Sequence, residues 1–163
     1  LNGILARYRY QKISIRFHAS YIARKTQRTY YLNSTQDFGH SLAKDYKIGT
    51  GLQYSFLKKQ DYIYLFFDVS YHKRVTTADF NNSQTTYQIN LVSKLNGINA
   101  IQGIGSKIKL IRNLYVSFEA GYNYTYLIGK NKYNSYSFDA PEKVNATLAY
   151  YNLFAKLYLS LTF

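Results

Sequence analysis

His18, His40 and His72 are the only imidazoles in this chain, so acid–base chemistry at neutral pH starts with them. His72 follows Asp68 by four positions with Ser70 between them, which assembles the residue types of a hydrolytic triad. On an extended segment those three side chains stand on one face, about 7 Å apart and parallel, and cannot hydrogen-bond in series unless a neighbouring strand supplies a group. His40 lies in Phe38-Gly-His40-Ser41 with no accompanying acid in that stretch. Cysteine is absent, which removes thiol nucleophiles, disulfides and cysteine-ligated zinc. No Gly-rich phosphate loop, acidic calcium loop or repeat of fixed period occurs. The expectation is a chain with no catalytic residues, no metal and no cofactor.

The charge balance is the next feature with chemical content. Lys and Arg number 21 against 8 Asp and Glu, a formal net charge of +13. Nucleic acid, phosphorylated lipid and an acidic protein surface are the partners such a balance can serve. The bases are scattered, pairs such as Lys58-Lys59 and Lys73-Arg74 being the tightest groups, and a nucleic-acid footprint needs more clustering than that. No nucleic-acid partner is expected.

The elements that must position these residues are strands. The chain has 163 residues, a single-domain length, with 20 Tyr and 10 Phe against one Pro and no Trp or Met. Aromatic residues suit a pleated surface. Alternation is sharpest at the end: Leu153, Ala155, Leu157, Leu159, Leu161 and Phe163 interleave with Phe154, Lys156, Tyr158, Ser160 and Thr162. Successive side chains of a strand point to opposite faces, so one face is wholly apolar and the other mixed. Ile13–Arg24, Tyr62–His72 and Leu114–Ile128 read the same way, with weaker versions at 4–10, 46–57 and 98–110. The longest apolar run, Tyr62 to Phe67, is far below the roughly 18 residues of a membrane helix, so any crossing must be made by strands.

A soluble barrel also alternates. Here each long strand carries a face uniformly fit for lipid, while the other face carries Gly and ionisable groups, the pattern of a membrane barrel with a narrow polar interior. The predicted fold is therefore all-β, an antiparallel transmembrane β-barrel of about eight strands forming one domain over 1–163. Strands are expected at about 3–10, 13–24, 46–57, 62–73, 98–110, 114–128 and 146–163. The short links Gln11-Lys12, Leu57–Asp61 and Ile111–Asn113 alternate with long polar ones at 25–45, 74–96 and 129–145. Seven strands is an odd count, whereas bacterial barrels close with an even one. Two remedies exist: a first strand preceding Leu1, with 85–95 a hairpin arm above the membrane, or a split at Asn96-Gly97 that makes 85–95 a strand of its own. The first is preferred.

If these parities hold, the interior receives Arg7, Arg9, Arg16, His18, Lys47, Lys107, Lys109 and Lys156 with Asp68 and Glu119 as its carboxylates. Buried charges must be paired, so Asp68 and Glu119 are expected to anchor a lumen network with Arg16 and Lys107. The narrow interior favours a plug over a conducting pore. Tyr30, Tyr31, Tyr133, Tyr136 and Phe138 place aromatics among small polar residues in the long links and are the candidate contacts for a partner.

The terminal Tyr158-Leu-Ser-Leu-Thr-Phe163, with Tyr158, Leu159, Leu161 and Phe163 as its alternating members, resembles the assembly signal of bacterial outer-membrane proteins. Ile48-Gly-Thr-Gly-Leu-Gln-Tyr54, Gly103-Ile-Gly-Ser-Lys-Ile-Lys109 and Asn113-Leu-Tyr-Val-Ser-Phe-Glu-Ala-Gly-Tyr122 resemble small OmpX-like barrels of the Bacteroidota style. The resemblance implies a Gram-negative outer-membrane location, contact with outer-membrane lipid and lipopolysaccharide, insertion by the barrel-assembly machinery and no catalytic activity. A non-enzymatic role in structure or interaction follows, one form of which is an accessory subunit of a larger outer-membrane complex with other outer-membrane proteins. The alternative is a lipid-modifying enzyme, because the His40-Ser41 pair resembles that of lipid A deacylase barrels.

Overall fold

The computed structural model describes residues 3–32, 35–56, 63–82, 88–111, 114–135 and 142–161. They form one seven-stranded sheet in sequential order, every neighbouring pair antiparallel, with no helix among the described residues. The strands are β1 (Gly3–Tyr10), β2 (Ile13–Leu32), β3 (Thr35–Ser55), β4 (Ile63–Asn82), β5 (Gln88–Ile111), β6 (Leu114–Ser135) and β7 (Glu142–Leu161).

The strands reach far beyond their expected ends. Most of residues 25–45, expected as a loop, is ladder: β2 and β3 pair without a break from Ile13↔Tyr54 to Leu32↔Thr35. The segments 74–96 and 129–145 are also largely strand, in β4, β5, β6 and β7. Polar residues on both faces erase the hydropathy alternation, yet Thr, Tyr, Gln and Arg still adopt extended backbone, and ladder hydrogen bonds need nothing more. Asn96-Gly97 is not a turn. It lies inside β5, pairing with Lys73 and His72 on one side and with Ile128 and Leu127 on the other. A hairpin there would break both ladders, so the split is excluded, and Gln88–Leu95 prolongs β5 against Arg74–Asn81.

The two faces differ as alternation demands. Ile13, Ile15, Phe17, Leu65, Phe67, Phe118, Leu153, Leu157 and Leu159 are all exposed on the outward side, and Val116 is partly so. The opposite face buries Ser14, Arg16, Gln53, Tyr64, Asp68, His72, Asn99, Glu119 and Thr125. Arg16 of β2 nonetheless touches Glu119 of β6 at 2.7 Å. On a flat sheet four strand spacings of about 4.8 Å would hold those backbones about 19 Å apart. The sheet is therefore coiled around its polar face, and Phe66 of β4 meets Phe154 of β7 inside it, ring centroids 6.3 Å apart.

Gly51 shows how the coil makes room. It stands between Arg16 and Asp68 in the ladder, and a Cβ there would run into the Asp68 carboxylate and the Phe67 carbonyl. Gly51→Val is expected to lower stability by about 2–3 kcal/mol through overpacking, measured as a shift of the urea midpoint. A valine tolerated without such a shift would show that the sheet is looser here than the ladder requires.

Candidate functional site: the inward polar column

Buried polar groups must find partners, and the inward face arranges them in three layers. Nearest the β1–β2 turn, Arg16 donates to both oxygens of Glu119, Nη1 to Oε1 at 2.7 Å and Nη2 to Oε2 at 3.1 Å. Its Nε also lies 3.0 Å from Asp68 Oδ1, off the N–H axis, so that contact is a Coulombic pairing and not a hydrogen bond. Arg16 and Glu119 are each 2% exposed and Asp68 5%. Tyr64 donates its hydroxyl to Glu119 at 2.9 Å, with the Tyr158 hydroxyl 3.4 Å beyond. Gly105, opposite both Tyr64 and Glu119 in the ladder, leaves space for the Tyr64 ring, which a Cβ would strike. The Arg16 guanidinium lies over the Phe66 ring at 4.4 Å, so its planar face is covered while its edges hold the acids.

The middle layer centres on Asn99 of β5. Its amide donates to Thr125 Oγ1 at 2.8 Å, to the Tyr124 carbonyl at 3.0 Å and to Asn123 Oδ1. Its side-chain oxygen accepts from Lys47 Nζ at 3.2 Å and from Ser70 Oγ at 3.4 Å. The third layer belongs to Asp45, which accepts from Arg74 Nε at 2.8 Å and Arg74 Nη2 at 3.1 Å and lies 2.7 Å from His72 Nε2.

Arg16, Asp68 and Glu119 are thus brought together. The Lys107 ammonium lies over the Tyr115 ring at 4.2 Å. Lys107 pairs with Ser117 in the ladder, one inward step nearer the β5–β6 turn than Glu119, which pairs with Gly105. The interior has a third buried carboxylate, Asp45, where sequence reasoning placed only Asp68 and Glu119. The Asp68-Ser70-His72 series is dispersed across the layers: Asp68 faces Arg16, Ser70 donates to Asn99, and His72 faces Asp45. His40 is exposed in β3, opposite Asp79 in the ladder rather than in a loop.

Among the partner-contact candidates, Tyr133 is partly exposed in β6 and pairs with Glu142. Tyr30 and Tyr31 belong to β2, but their side chains, like Tyr136 and Phe138, lie outside the described residues. In the terminal segment Tyr158 points inward and Leu159 is exposed, while the Leu161 side chain and Phe163 lie outside the description. No group of three or more potential metal ligands occurs among the described residues.

Compared with protein-family models, curated proteins and solved structures, the chain gives no match.

Proposed function

We propose that this chain is the wall of a small β-barrel spanning a bacterial outer membrane, acting in structure or interaction and not in catalysis. The observation that carries this is the inversion of its faces: large apolar side chains stand exposed outside while Arg16, Glu119, Asp68, Asp45 and His72 are buried inside. Water does the reverse to a soluble protein, and no second layer of described elements covers the apolar side. Lipid is the environment that meets such a wall. A crossing strand needs about 9–11 residues, whereas β2 to β7 are each about twice that length, so their hairpins stand well clear of the bilayer. Projecting hairpins are where such a scaffold meets partners, and the accessory-subunit role in a larger outer-membrane assembly is one form of this.

The interior supports a plug. Of its three hydrogen-bonded layers, Arg16–Glu119 reaches across the coil from β2 to β6, Lys47–Asn99 links β3 to β5, and Asp45–Arg74 ties the ladder neighbours β3 and β4. The 2.7 Å Asp45–His72 contact is the one feature that favours a lipid-modifying enzyme, being the base and orienting acid of a triad. Ser70, the hydroxyl adjacent on that face, donates to Asn99, and His72 Nδ1 has no hydrogen-bond partner among the described residues.

Purification from native membranes in mild detergent, at low and at high salt, separates the readings. Interaction predicts a defined partner protein held at low salt and released at high salt. A solitary protein that cleaves or transfers acyl chains of lipid A, and loses that activity on His72→Ala or His40→Ala, would replace this reading with the enzymatic one.

A further inference from the structure

On the outward wall the ladder sets like charges face to face. Lys94 of β5 pairs directly with Lys130 of β6, and Lys132 of β6 pairs directly with Lys143 of β7. All four side chains are exposed. Lys73 of β4, also exposed, stands opposite Asn96, one diagonal step from Lys94. Directly opposed side chains have Cβ atoms about 4.5–5.5 Å apart, and like charges so placed destabilise a sheet. The outward ladder positions around them, Val75, Val92, Asn96, Ile128, Asn145 and Thr147, supply no carboxylate to relieve the repulsion. A surface of this kind is completed by an anion. Next to it on the same wall begins the apolar band, with Ile98 and Ile128 52–58% exposed.

We propose that Lys94, Lys130, Lys132 and Lys143 form a binding surface for the phosphate groups of an acylated membrane lipid, whose chains lie along the apolar band beside them. This rests on the membrane-spanning reading above. A lipid fits better than an acidic protein because the two halves of an amphiphile, phosphate and hydrocarbon, find their complements in one continuous strip of wall. Basic side chains just beyond a hydrocarbon boundary stand at the level of lipid headgroups.

The test uses the full chain folded into phosphatidylcholine nanodiscs doped with bis-phosphorylated lipid A, with native mass spectrometry reading the lipid retained per protein. The expected result is retention that falls with added salt and falls at least about tenfold on combined Lys94→Gln, Lys130→Gln, Lys132→Gln and Lys143→Gln substitution. Lys12→Gln with Lys25→Gln, away from the patch, should leave it unchanged. Should the quadruple variant fail to fold by amide circular dichroism, the paired variants Lys94→Gln/Lys130→Gln and Lys132→Gln/Lys143→Gln carry the same expectation in smaller steps. Equal retention of dephosphorylated lipid A, or no loss in the variants, overturns the proposal. Complete displacement by millimolar inorganic phosphate also overturns it, leaving a site for a free anion only. Failure of the chain to insert into the bilayer at all would instead strike the membrane reading; insertion without lysine-dependent retention strikes this inference alone.

Discussion

Arg16→Met will destabilise the fold by about 3–5 kcal/mol, the largest single loss expected in this chain. Arg16 is the one base within 3.0 Å of both Asp68 and Glu119 among the described ion pairs, and all three side chains are almost fully buried. Methionine keeps much of the volume and removes the charge, so two carboxylates lose their shared guanidinium in a low-dielectric interior, with the Tyr64 hydroxyl still donating to one of them. The urea midpoint of the protein in detergent or vesicles reads the loss. The companion triple variant Arg16→Met/Asp68→Leu/Glu119→Leu should recover most of it, because removing a buried ion cluster whole eliminates the desolvation penalty together with the attraction. A single variant within about 0.5 kcal/mol of the parent would mean that water reaches the carboxylates and the interior is not packed as described.

Asp45→Ala is expected to cost about 2–3 kcal/mol, less than Arg16→Met. Asp45 accepts two hydrogen bonds from Arg74 and faces His72, so truncation orphans donors on both. The Arg74 side chain is 21% exposed and can turn partly to water, which limits the loss, while His72 at 0% has no such outlet. Asp45→Asn keeps an acceptor for one donor and should retain about half of the stability difference, again by urea midpoint. Equal losses for the two variants would show that charge alone, not the hydrogen bonds, matters at this layer.

The alternation over Leu153–Leu159, Ile13–Phe17, Ile63–Tyr71 and Leu114–Ile128 was enough to divide outward from inward residues, because period two is the one geometric property that every strand imposes on its sequence. It put Arg16, Asp68 and Glu119 on the buried face. It could not pair them, since Arg16 and Glu119 lie 103 residues apart and meet only because the sheet coils. Asp45 was lost for a local reason: it sits one position before Tyr46, where the hydropathy pattern fades, although its spacing of two from Lys47 and four from Gly49 already placed it inward. Asn99 shares a ladder row with Ser70 and Thr125, a relation invisible until the register is known. The lysine patch was hidden in the same way, because each lysine reads alone as an ordinary polar residue of a link, and only the pairing of β5 with β6 and of β6 with β7 sets them opposite one another.

The central claim is that the outward face meets lipid and the inward face does not. Single spin labels placed in turn at 153, 154, 155, 156, 157 and 158 of the chain in vesicles, read by their accessibility to oxygen and to a polar nickel chelate, test it most directly. The proposed membrane-spanning wall predicts oxygen-dominated accessibility at Leu153, Ala155 and Leu157, and loss of it at Phe154, Lys156 and Tyr158, a strict alternation across the segment. Accessibility that is uniform along the segment, or dominated by the polar reagent at Leu153, Ala155 and Leu157, would contradict a membrane-spanning wall and return the exposed apolar face to a protein partner.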